Sequence, residues 1–402
     1  MRIAHNLFVV ERDVAIVLSG GGMNGLLLEL GFLQRLRASP LWPRVGWIYG
    51  TSAGALAGTM AALDRLDDLD AFCMRLRPEQ TFRPHRLWQL PLTGLHDYAL
   101  PTTIAEHLEP VEQLAEGLAE SPIELVVCVT DVGSADEAED VDGRAFERVY
   151  GSRSTSPAEM AQAVLASAAI SALVLPVRVG ELIGTDGGWV RNFALGHAYD
   201  NPEVHAIVGF RYLAQYPAAT VENLARLRQR LERFRAVPPV RALIGELERA
   251  EARQARGEPP HLADMVVRLT RVAISRNTTL EERSAQERDR SVLELRELRR
   301  DVIEVAVRNA LPGRRRRVRA ELERRFAAAR FPFRHDRALP TLLVRAEAGP
   351  IALDASFRAG LEWPEATKRA LIARGRVLAD EALATSEGRA LLTSHHAEQG
   401  VA

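Results

Sequence analysis

The stretch VAIVLSGGGMNG, Val14–Gly25, is the part of the sequence that decides the fold. It opens with a continuous apolar run, which is typical of a strand buried on both faces of a sheet. Three glycines follow, and the next segment, LLLELGFLQRL, has apolar residues at helical spacing. A buried strand that turns through glycines directly into a helix predicts the start of an α/β domain with a largely parallel sheet.

The same pattern recurs further along the chain. VGWIYG ends at Gly50 and turns into the small-residue helix ALAGTMAALDRL, and ELVVCVTDV predicts another buried strand. A helix over 157–172, a strand or hairpin at VRVGELIG and a strand over 204–210 follow. The pattern resumes late, with the strand TLLVRAE and a helix over 364–384. We therefore predict a three-layer α/β/α domain with a mainly parallel central sheet and a large helical insertion.

The composition changes between 219 and 336. This stretch is charged, rich in arginine and periodic at helical spacing, so that Leu298, Val302 and Val305, for example, share one helix face. Strand signals return only after it. We therefore expect four parts: a first part of the core over 1–215, a helical arginine-rich insertion over 216–337, a closing strand and helix over 338–386, and a flexible tail over 387–402.

Charge and lysine content limit the classes of function. The 402-residue chain has 52 basic and 53 acidic residues and a net charge of −1, so no global field recruits nucleic acid or an anionic membrane. Lys368 is the one lysine among the basic residues, so a lysine nucleophile or Schiff base could come from that residue alone. A charged partner would have to be bound by a local patch of charged residues.

Cysteine usage and the N-terminal sequence bear on location. Cys73 and Cys128 have neither the number nor the spacing of a disulfide scaffold or a zinc site. The N-terminus lacks a basic region followed by an uninterrupted apolar stretch and a cleavage site. No uncharged apolar run approaches the roughly 20 residues that span a bilayer. We expect a cytoplasmic protein without a zinc site; export without a cleavable signal is the alternative.

The strongest local signal is GTSAG, Gly50–Gly54, a G-x-S-x-G sequence at the junction of a predicted strand and helix. A serine on such a sharp turn has its hydroxyl lifted clear of the sheet, and the flanking glycines permit the turn. The following helix points its free N–H groups and positive dipole end at the serine. Ser52 is therefore a candidate nucleophile; the alternative is that it only caps the helix.

The glycine-rich turn before the first helix exposes backbone N–H groups that suit an anion. Gly20, Gly22 and Gly25 also satisfy G-x-G-x-x-G, the dinucleotide-binding pattern, which requires an acidic residue about 20 positions later for the ribose. Between Glu29 and Asp64 the sequence has no Asp or Glu. The pattern therefore favours the oxyanion of an acyl-transfer intermediate, and a dinucleotide-binding enzyme is the weaker alternative.

Asp186-Gly187-Gly188 follows the predicted hairpin VRVGELIG. An Asp before two glycines is ordinarily a turn, but a serine nucleophile needs a base, and Asp186 is a candidate. His197 and His205 follow it in the Ser, Asp, His order of a serine-hydrolase triad. Neither histidine lies in a glycine-rich or strand-end context, so both are weaker candidates.

In this order, GGGMNG, GTSAG, ASAAISALVLPV (Ala166–Val177) and DGG followed by Asn192 resemble the patatin-like phospholipase family. The late segment LVRAEAGPIALDASF and the helix that ends LIARGRVLADEAL look like the closing strand and helix of that family. The resemblance covers about 14–210 and 339–383 and leaves the helical stretch between them unmatched. As an ordered set, these motifs are specific.

The resemblance implies a lipid acyl hydrolase that acts on fatty-acyl esters of phospholipids or neutral lipids, without a metal or an organic cofactor. Ser52 would be the nucleophile and Asp186 its sole partner, in a dyad without histidine. The family places its oxyanion hole in the glycine-rich turn and glycines on both sides of the nucleophile. The corresponding residues here are Gly20, Gly21, Gly22, Asn24 and Gly25 for the oxyanion hole, and Gly50 and Gly54 for the turn.

Three positions depart from the family pattern. Its glycine turn usually reads G-G-G-x-Arg/Lys-G, and the basic position is Asn24 here. Ser171 and Leu175 stand where the family usually has prolines, and NFA at 192–194 replaces Asn-x-Pro. Asn24 removes a positive charge near the oxyanion, so a weak or inactive lipid-binding or interaction protein with this fold is the main alternative. Acyl transfer to an alcohol other than water would use the same site.

Two segments have open interpretations. Arg83–Pro101, RPHRLWQLPLTGLHDYALP, is either a substrate-facing lid or a packed loop. Arg314–Arg334 contains nine arginines against Glu321 and Glu323, a net charge of +7, and is either a peripheral contact for anionic membrane head groups or a solvated helix face. No recognisable module accompanies it, so we expect no nucleic-acid binding. The oligomeric state stays open.

Overall fold

The computed structural model describes residues 12–84, 96–133, 145–170, 174–213, 225, 228–229, 231–256, 262–331, 338–353 and 362–397. Its strands are β1 (Val14–Leu18), β2 (Val45–Gly50), β3 (Phe82–Pro84), β4 (His96–Tyr98), β5 (Glu124–Asp131), β6 (Glu147–Gly151), β7 (Val177–Val179), β8 (Leu182–Asp186), β9 (Ala206–Tyr212) and β10 (Thr341–Ala346). Its helices are α1 (Gly22–Arg37), α2 (Ala53–Ala62), α3 (Leu66–Arg75), α4 (Pro78–Thr81), α5 (Leu100–His107), α6 (Val111–Glu120), α7 (Pro157–Ser167), α8 (Gly188–Arg191), α9 (Leu195–Asp200), α10 (Pro238–Ala255), α11 (Leu262–Asn309), α12 (Arg315–Ala328), α13 (Glu365–Leu383) and α14 (Ser386–Ala397).

The central sheet is parallel over most of its width. β10, β9, β1, β2 and β5 lie side by side in that order, and each neighbouring pair is parallel. β5 also pairs antiparallel with β6 and β8, and β8 pairs antiparallel with β7. β3 and β4 form a separate antiparallel hairpin. The predicted α/β class with a mainly parallel sheet is confirmed.

Helices cover both faces of the sheet and make three layers. Side chains alternate along a strand, so Ile16 and Leu18 of β1 face one core, while Ala15 and Val17 face the other. The first core is shared with α1, α2, α7 and α13, and the second with α9 and Ala285 of α11. The predicted three-layer arrangement is therefore confirmed.

The first helix and the closing helix pack backbone against backbone. A side chain at Gly31 of α1 would collide with the carbonyl oxygen of Ile372, and one at Gly375 of α13 would collide with that of Leu28. The two glycines therefore allow the helices to approach closely. Because α1 begins in the glycine-rich turn, this contact helps to fix the position of that turn.

The registers of β5 decide where β2 and β8 end. Val127 pairs with Gly50 of β2 and also with β6, whereas Val129 pairs with Asp186 of β8 and also with β6. A strand has two edges, so β2 and β8 share the edge opposite β6. β2 runs toward Gly50 and the antiparallel β8 runs toward Asp186, so the two strands end face to face beside Cys128. The residues that follow Gly50 therefore approach Asp186.

The chain divides into two compact units, one formed by 214–276 and the other by the rest. In the smaller unit, the described part includes α10, where Ile244 is fully buried. α11, from Asn277 onward, and α12 belong to the unit with the sheet. The expected insertion over 216–337 contains helices and no strand among its described residues, but the structure separates only its first part from the core. No helix in the described part of the chain has the length and apolar character that crossing a bilayer requires.

Ion pairs explain why the later part of α11 belongs to the core unit. Arg211 of β9 is buried and pairs with Glu282 of α11 at 2.7 Å. Arg191 of α8 pairs with Glu281 on the same helix. A buried arginine needs such a partner, so the sheet and α11 depend on each other.

The tail that was expected over 387–402 begins as a packed helix. Leu391 of α14 is 1% exposed, and its carbonyl oxygen accepts a hydrogen bond from Nη1 of Arg44 at 2.8 Å. Arg44 is itself buried and pairs with Asp13 at 2.6 Å. This buried contact holds α14 against the start of β2, while 398–402 lie outside the described residues.

Lys368 is buried in α13 and caps the end of α3. Its Nζ donates to the carbonyl oxygens of Cys73, Met74 and Leu76 at 2.9, 3.0 and 2.6 Å. The end of a helix leaves such carbonyls without partners and favours a positive charge. All three ammonium protons are engaged, so the lysine serves the fold and is not placed to act as a nucleophile.

Replacing Lys368 with Met should lower the free energy of unfolding by about 1–3 kcal/mol, because carbonyl groups at the end of α3 lose their donor. Urea unfolding followed by circular dichroism would record this loss as a lower midpoint at an unchanged m-value. Arg369→Met is the matched control, since Arg369 is exposed and pairs with Glu365 on its own helix; its effect should stay below about 0.5 kcal/mol. Equal losses in the two variants would contradict the capping role.

Candidate active site

Ser52 lies on a strained turn between β2 and α2. Its φ is 54° and its ψ is −119°, and non-glycine residues rarely adopt a positive φ. The carbonyl oxygens of Thr51 and Ser52 accept the N–H groups of Gly54 and Ala55 at 2.9 and 3.0 Å, which starts the helix directly after the turn. The serine therefore has the strained strand-to-helix geometry that the G-x-S-x-G motif predicts.

Close backbone approach around this turn requires its glycines. A side chain at Gly50 would collide with the backbone of Gly54, and a side chain at Gly54 would lie 2.7 Å from Leu18 of β1. A Cβ at Gly20 would lie 3.1 Å from the Cβ of Ser52. These three glycines allow β1, β2 and α2 to converge around the serine.

Ser52 and Asp186 are hydrogen-bonded. Oγ of the serine donates to Oδ2 of the aspartate at 2.7 Å, and each residue is 7% exposed. The other carboxylate oxygen accepts the N–H of Gly188 at 2.7 Å. The backbone of Asp186 donates to Ala169 at 3.0 Å and accepts from the hydroxyl of Thr130 at 2.8 Å. The fold thus brings together two residues that are 134 positions apart and holds the aspartate on every side.

The protonation state of Asp186 follows from its surroundings. Burial raises its pKa to about 6, although the hydrogen bonds from Ser52 and Gly188 act in the opposite direction. At neutral pH the carboxylate is ionised, yet it binds a proton more readily than an exposed aspartate does. A carboxylate in this state is suited to accept the proton of a hydroxyl group.

Ser167, which the sequence analysis did not single out, fixes the backbone of the turn. The N–H of Ser52 donates to Oγ of Ser167 at 3.0 Å, and that hydroxyl donates to the carbonyl oxygen of Cys128 at 2.7 Å. Cys128 is the residue beside which β2 and β8 end, so Ser167 bridges the gap between the two strands. The one feature of the sequence that could have pointed to Ser167 is its position in the ASAA segment. Ser171 of the same segment lies outside the described residues.

Three of the expected oxyanion donors are engaged elsewhere. The N–H of Gly20 donates to the carbonyl oxygen of Asn192 at 3.1 Å, and the N–H of Gly25 closes the first turn of α1. Nδ2 of Asn24 donates to the carbonyl oxygen of Leu353 at 3.1 Å, and its Oδ1 accepts the N–H of the same residue at 2.8 Å. The carboxamide of Asn24 therefore ties α1 to the segment after β10, and a part for this residue in the oxyanion hole stays a prediction.

Backbone N–H groups at the starts of two helices remain available beside the serine. Gly22 is the first residue of α1 and has a φ of 56°, and Ala53 is the first residue of α2. Both line the same cavity as Ser52. Neither N–H group has an acceptor among the described residues, as expected at helix N-termini. The two helices therefore present free donors and positive dipole ends to one place.

The two histidines considered as bases lie elsewhere. Nε2 of His197 lies 2.6 Å from Oε1 of Glu147, and Arg191 pairs with the same carboxylate. Burial raises the pKa of Glu147, but these two partners outweigh it and bring the pKa to about 2. His205 precedes β9, at the opposite end of the parallel strands from Ser52.

Cys128, Glu147 and His197 place potential metal-ligating atoms within 4.8 Å of one another. The guanidinium of Arg191 already binds the carboxylate of Glu147. Burial raises the pKa of Cys128 to about 12, so its thiol keeps its proton. The positive charge of Arg191 beside Glu147 disfavours a cation at this cluster.

An apolar cavity lies beside Ser52. Leu56 and Met60 follow the serine along one face of α2, so the cavity extends for about 10 Å from it at 1.5 Å of helix rise per residue. Among the described lining residues, the side-chain oxygens are those of Ser52, Thr59 and Thr81, and none of the side chains is charged. The other lining residues are Gly22, Met23, Leu26, Ala53, Leu69, Phe72, Leu76, Phe82, Leu100, Ile104, Leu108, Val111, Leu114, Val164, Ala168, Ile170 and Trp363.

The described ends of the 83–101 segment belong to a wall of this cavity. The two ends of the segment pair as β3 and β4. Phe82 of β3 lines the cavity and stacks on Tyr98 of β4, with ring centroids 5.9 Å apart. Leu100 lines the cavity as well. The lid itself stays a prediction, because 85–95 lie outside the described residues.

Comparison with known proteins agrees with the ordered motifs. Residues 16–199, which include Ser52 and Asp186, match the model of the patatin-like phospholipase family. Among solved structures, the chain is similar to VipD from Legionella pneumophila, with 13% sequence identity, a TM-score of 0.38, and coverage of 96% of this chain and 67% of VipD. A search of curated proteins found no match. The family match supports lipid acyl hydrolysis as the general class of activity, and residues 16–199 of this chain are similar to a patatin-like phospholipase domain.

Proposed function

We propose that this protein is a lipid acyl hydrolase that cleaves fatty-acyl esters through a covalent intermediate on Ser52. The observation that carries the proposal is the 2.7 Å hydrogen bond from Ser52 to Asp186 beside an apolar cavity. Hydrolysis of a lipid ester needs a nucleophile, a base within reach of its proton and an apolar binding site, and these three occur together here.

In the acylation step, Oγ of Ser52 attacks the ester carbonyl carbon and its proton passes to Oδ2 of Asp186. Negative charge develops on the carbonyl oxygen, and the N–H groups of Gly22 and Ala53 are the donors available to stabilise it. The bond to the leaving alcohol then breaks, and Asp186 returns the proton to that alcohol. The fatty-acyl group is left esterified to Ser52.

Deacylation repeats these steps with water. Asp186 accepts a proton from the water molecule as the water oxygen attacks the acyl carbonyl carbon. The bond to Oγ breaks, Ser52 regains its proton from the aspartate, and the fatty acid leaves. An alcohol in place of water would complete an acyl transfer through the same groups, and the two outcomes differ in their products.

The cavity supports a hydrocarbon chain as the part of the substrate that is bound. Its described lining has no charged side chain, and it follows α2 for about 10 Å from Ser52. Charged head groups would lose their hydration in such a site, whereas an acyl chain gains from burial. Phospholipids and other acyl-ester lipids therefore fit the proposal, with the head group outside the cavity.

Asn24 is the feature that favours the rival proposal of an inactive lipid-binding or interaction protein. Its hydrogen bonds to Leu353 weaken that rival, because position 24 serves packing here and the proposed oxyanion donors are backbone groups. The dinucleotide alternative gains no support from the cavity, whose described lining has no acidic residue. We keep the expectation of a cytoplasmic enzyme with peripheral membrane contact and without metal or organic cofactor.

A fluorophosphonate probe tests the nucleophile directly. Wild-type protein should be labelled, Ser52→Ala should not, and Asp186→Asn should react about 10²–10⁴-fold more slowly because the general base is lost. Gel fluorescence or intact mass measures the labelling, and turnover of a p-nitrophenyl acyl ester should follow it. Ser154→Ala, which removes an exposed serine, is the control. Equal labelling of wild type and Ser52→Ala would refute the proposal.

The pH dependence should reveal the aspartate as the base. Because the pKa of Asp186 is raised to about 6, kcat/KM for a neutral ester should rise about tenfold per pH unit below 6 and level off above it. His197→Gln should leave this acid limb in place, since His197 binds Glu147. A limb that disappears in His197→Gln would instead assign the base to the histidine.

Ser167→Ala should slow catalysis without weakening substrate binding. The variant removes the acceptor for the N–H of Ser52 and a donor to Cys128, so we expect kcat to fall about tenfold with little change in KM. Ser156→Ala is the matched control, because it caps the other end of the same helix. If both variants lower the probe-labelling rate equally, Ser167 acts only through the stability of α7.

A further inference from the structure

The tip of the hairpin formed by α11 and α12 is a strongly basic surface, which we call the arginine tip and define as residues 308–319. From Val305 to Ala320 the sequence has no acidic residue. The arginines in this interval are Arg308, Arg314, Arg315, Arg316, Arg317 and Arg319. Its local charge of +6 contrasts with the net charge of −1 for the whole chain.

Most of this charge is not balanced by partners. Among the described residues, no carboxylate pairs with Arg314, Arg316 or Arg319, whereas Arg308 pairs with Glu304. Arginines also begin α12, where the positive end of the helix dipole disfavours cations. These arginines therefore do not stabilise the hairpin. Binding of an external anion would explain why they are clustered there.

Apolar side chains accompany the arginines. Leu311 is 68% exposed and precedes the Pro312–Arg314 turn, and α12 has no buried residue. Val318, Leu322 and Phe326 share one face of α12 and are half-buried. Apolar residues set among arginines on a short helix are typical of segments that lie in a membrane interface.

A cleft between the two helices extends the basic surface. Arginine side chains outnumber carboxylates in its lining, and guanidinium groups suit phosphate oxygens. The lining residues are Arg296, Arg299, Arg300, Ile303, Glu304, Arg319 and Glu323. The cleft therefore offers a place for a lipid phosphate next to the arginine tip.

We propose that the arginine tip docks this protein on a bilayer that contains anionic phospholipid. The arginines bind lipid phosphates, and Leu311 enters the interface beside them. The binding partner is thus an anionic bilayer. In one respect this rests on the proposed function, since the same bilayer would hold the acyl-ester substrate. Binding itself requires no catalysis.

The arginine tip is far from the candidate active site along the chain's longest described helix. Glu281 of α11 pairs with Arg191, next to the turn that carries Asp186. At 1.5 Å per residue, the end of α11 at Asn309 lies about 40 Å further along the helix. Substitutions at the arginine tip should therefore leave hydrolysis of a soluble ester unchanged.

Vesicle co-sedimentation of the full chain tests the docking. The Ser52→Ala protein, which leaves the lipid intact, should sediment with vesicles made from equal parts of phosphatidylcholine and phosphatidylglycerol and remain in solution with phosphatidylcholine alone. The combined Arg314→Gln, Arg315→Gln, Arg316→Gln and Arg317→Gln substitutions should weaken binding by at least about a hundredfold. Circular dichroism of this variant is the check that it is folded.

The matched control removes four exposed arginines elsewhere, on α13 and α14. The combined Arg369→Gln, Arg374→Gln, Arg376→Gln and Arg389→Gln substitutions change the net charge equally and should leave vesicle binding within about threefold of the parent, since these residues lie outside the arginine tip. Leu311→Ser should weaken binding to anionic vesicles without changing its salt dependence, because it removes apolar contact alone.

The outcomes separate docking from catalysis. Equal sedimentation with the two kinds of vesicle, or equal losses in the two fourfold variants, would overturn the proposal. Binding of the arginine tip to nucleic acid but not to anionic vesicles would also overturn it. If wild-type protein fails to hydrolyse a soluble ester while the arginine-dependent vesicle binding persists, the proposed function fails and the docking stands.

Discussion

The candidate site depends on one constraint, which is that β2 and β8 end face to face on the same edge of β5. The ladder with β2 stops at Val127 and the ladder with β8 begins at Val129, so neither strand pairs with Cys128. That gap is where the chain can leave the sheet, and Ser52 and Asp186 both stand at it. The hydroxyl of Ser167 fills the gap by binding Cys128 and the N–H of Ser52. The hydrogen bond between Ser52 and Asp186 is therefore a consequence of strand register.

Holding this arrangement has two costs, and the surrounding packing offsets them. Ser52 has a positive φ, and Asp186 is a buried carboxylate that has no paired cation among the residues the structure describes. Strain and a buried charge persist only where the neighbouring structure leaves no easier alternative. Here the glycines of the turn, the close contact of α1 with α13 and the hydrogen bonds around the aspartate supply that rigidity. The same burial gives the carboxylate a pKa suited to proton transfer at neutral pH.

The sequence predicts the fold class and Ser52 because both are local patterns. A buried strand, a glycine turn and a helix are contiguous, and so are the parts of G-x-S-x-G. Asp186 is harder to predict, because an Asp before two glycines is ordinarily a turn. The resemblance to a family is what distinguished this Asp from an ordinary turn residue. The contacts of Ser167 and Asn24 are made with partners far along the chain, namely Ser52 and Leu353, which no local pattern specifies. The same holds for the division of the helical insertion, which follows from ion pairs between α11 and the core.

The distribution of charge gives the molecule two contrasting surfaces. The described lining of the cavity has no charged side chain, whereas the arginine tip collects six arginines. About 40 Å of helix α11 separates the uncharged cavity from the arginine tip, so the two surfaces would meet different molecules of a lipid layer. The long helix α11 connects the two regions, because its Glu281 pairs with Arg191, close to Asp186 in the chain, and the helix ends at the arginine tip. A net charge near zero is therefore the sum of separate regions that differ strongly in charge.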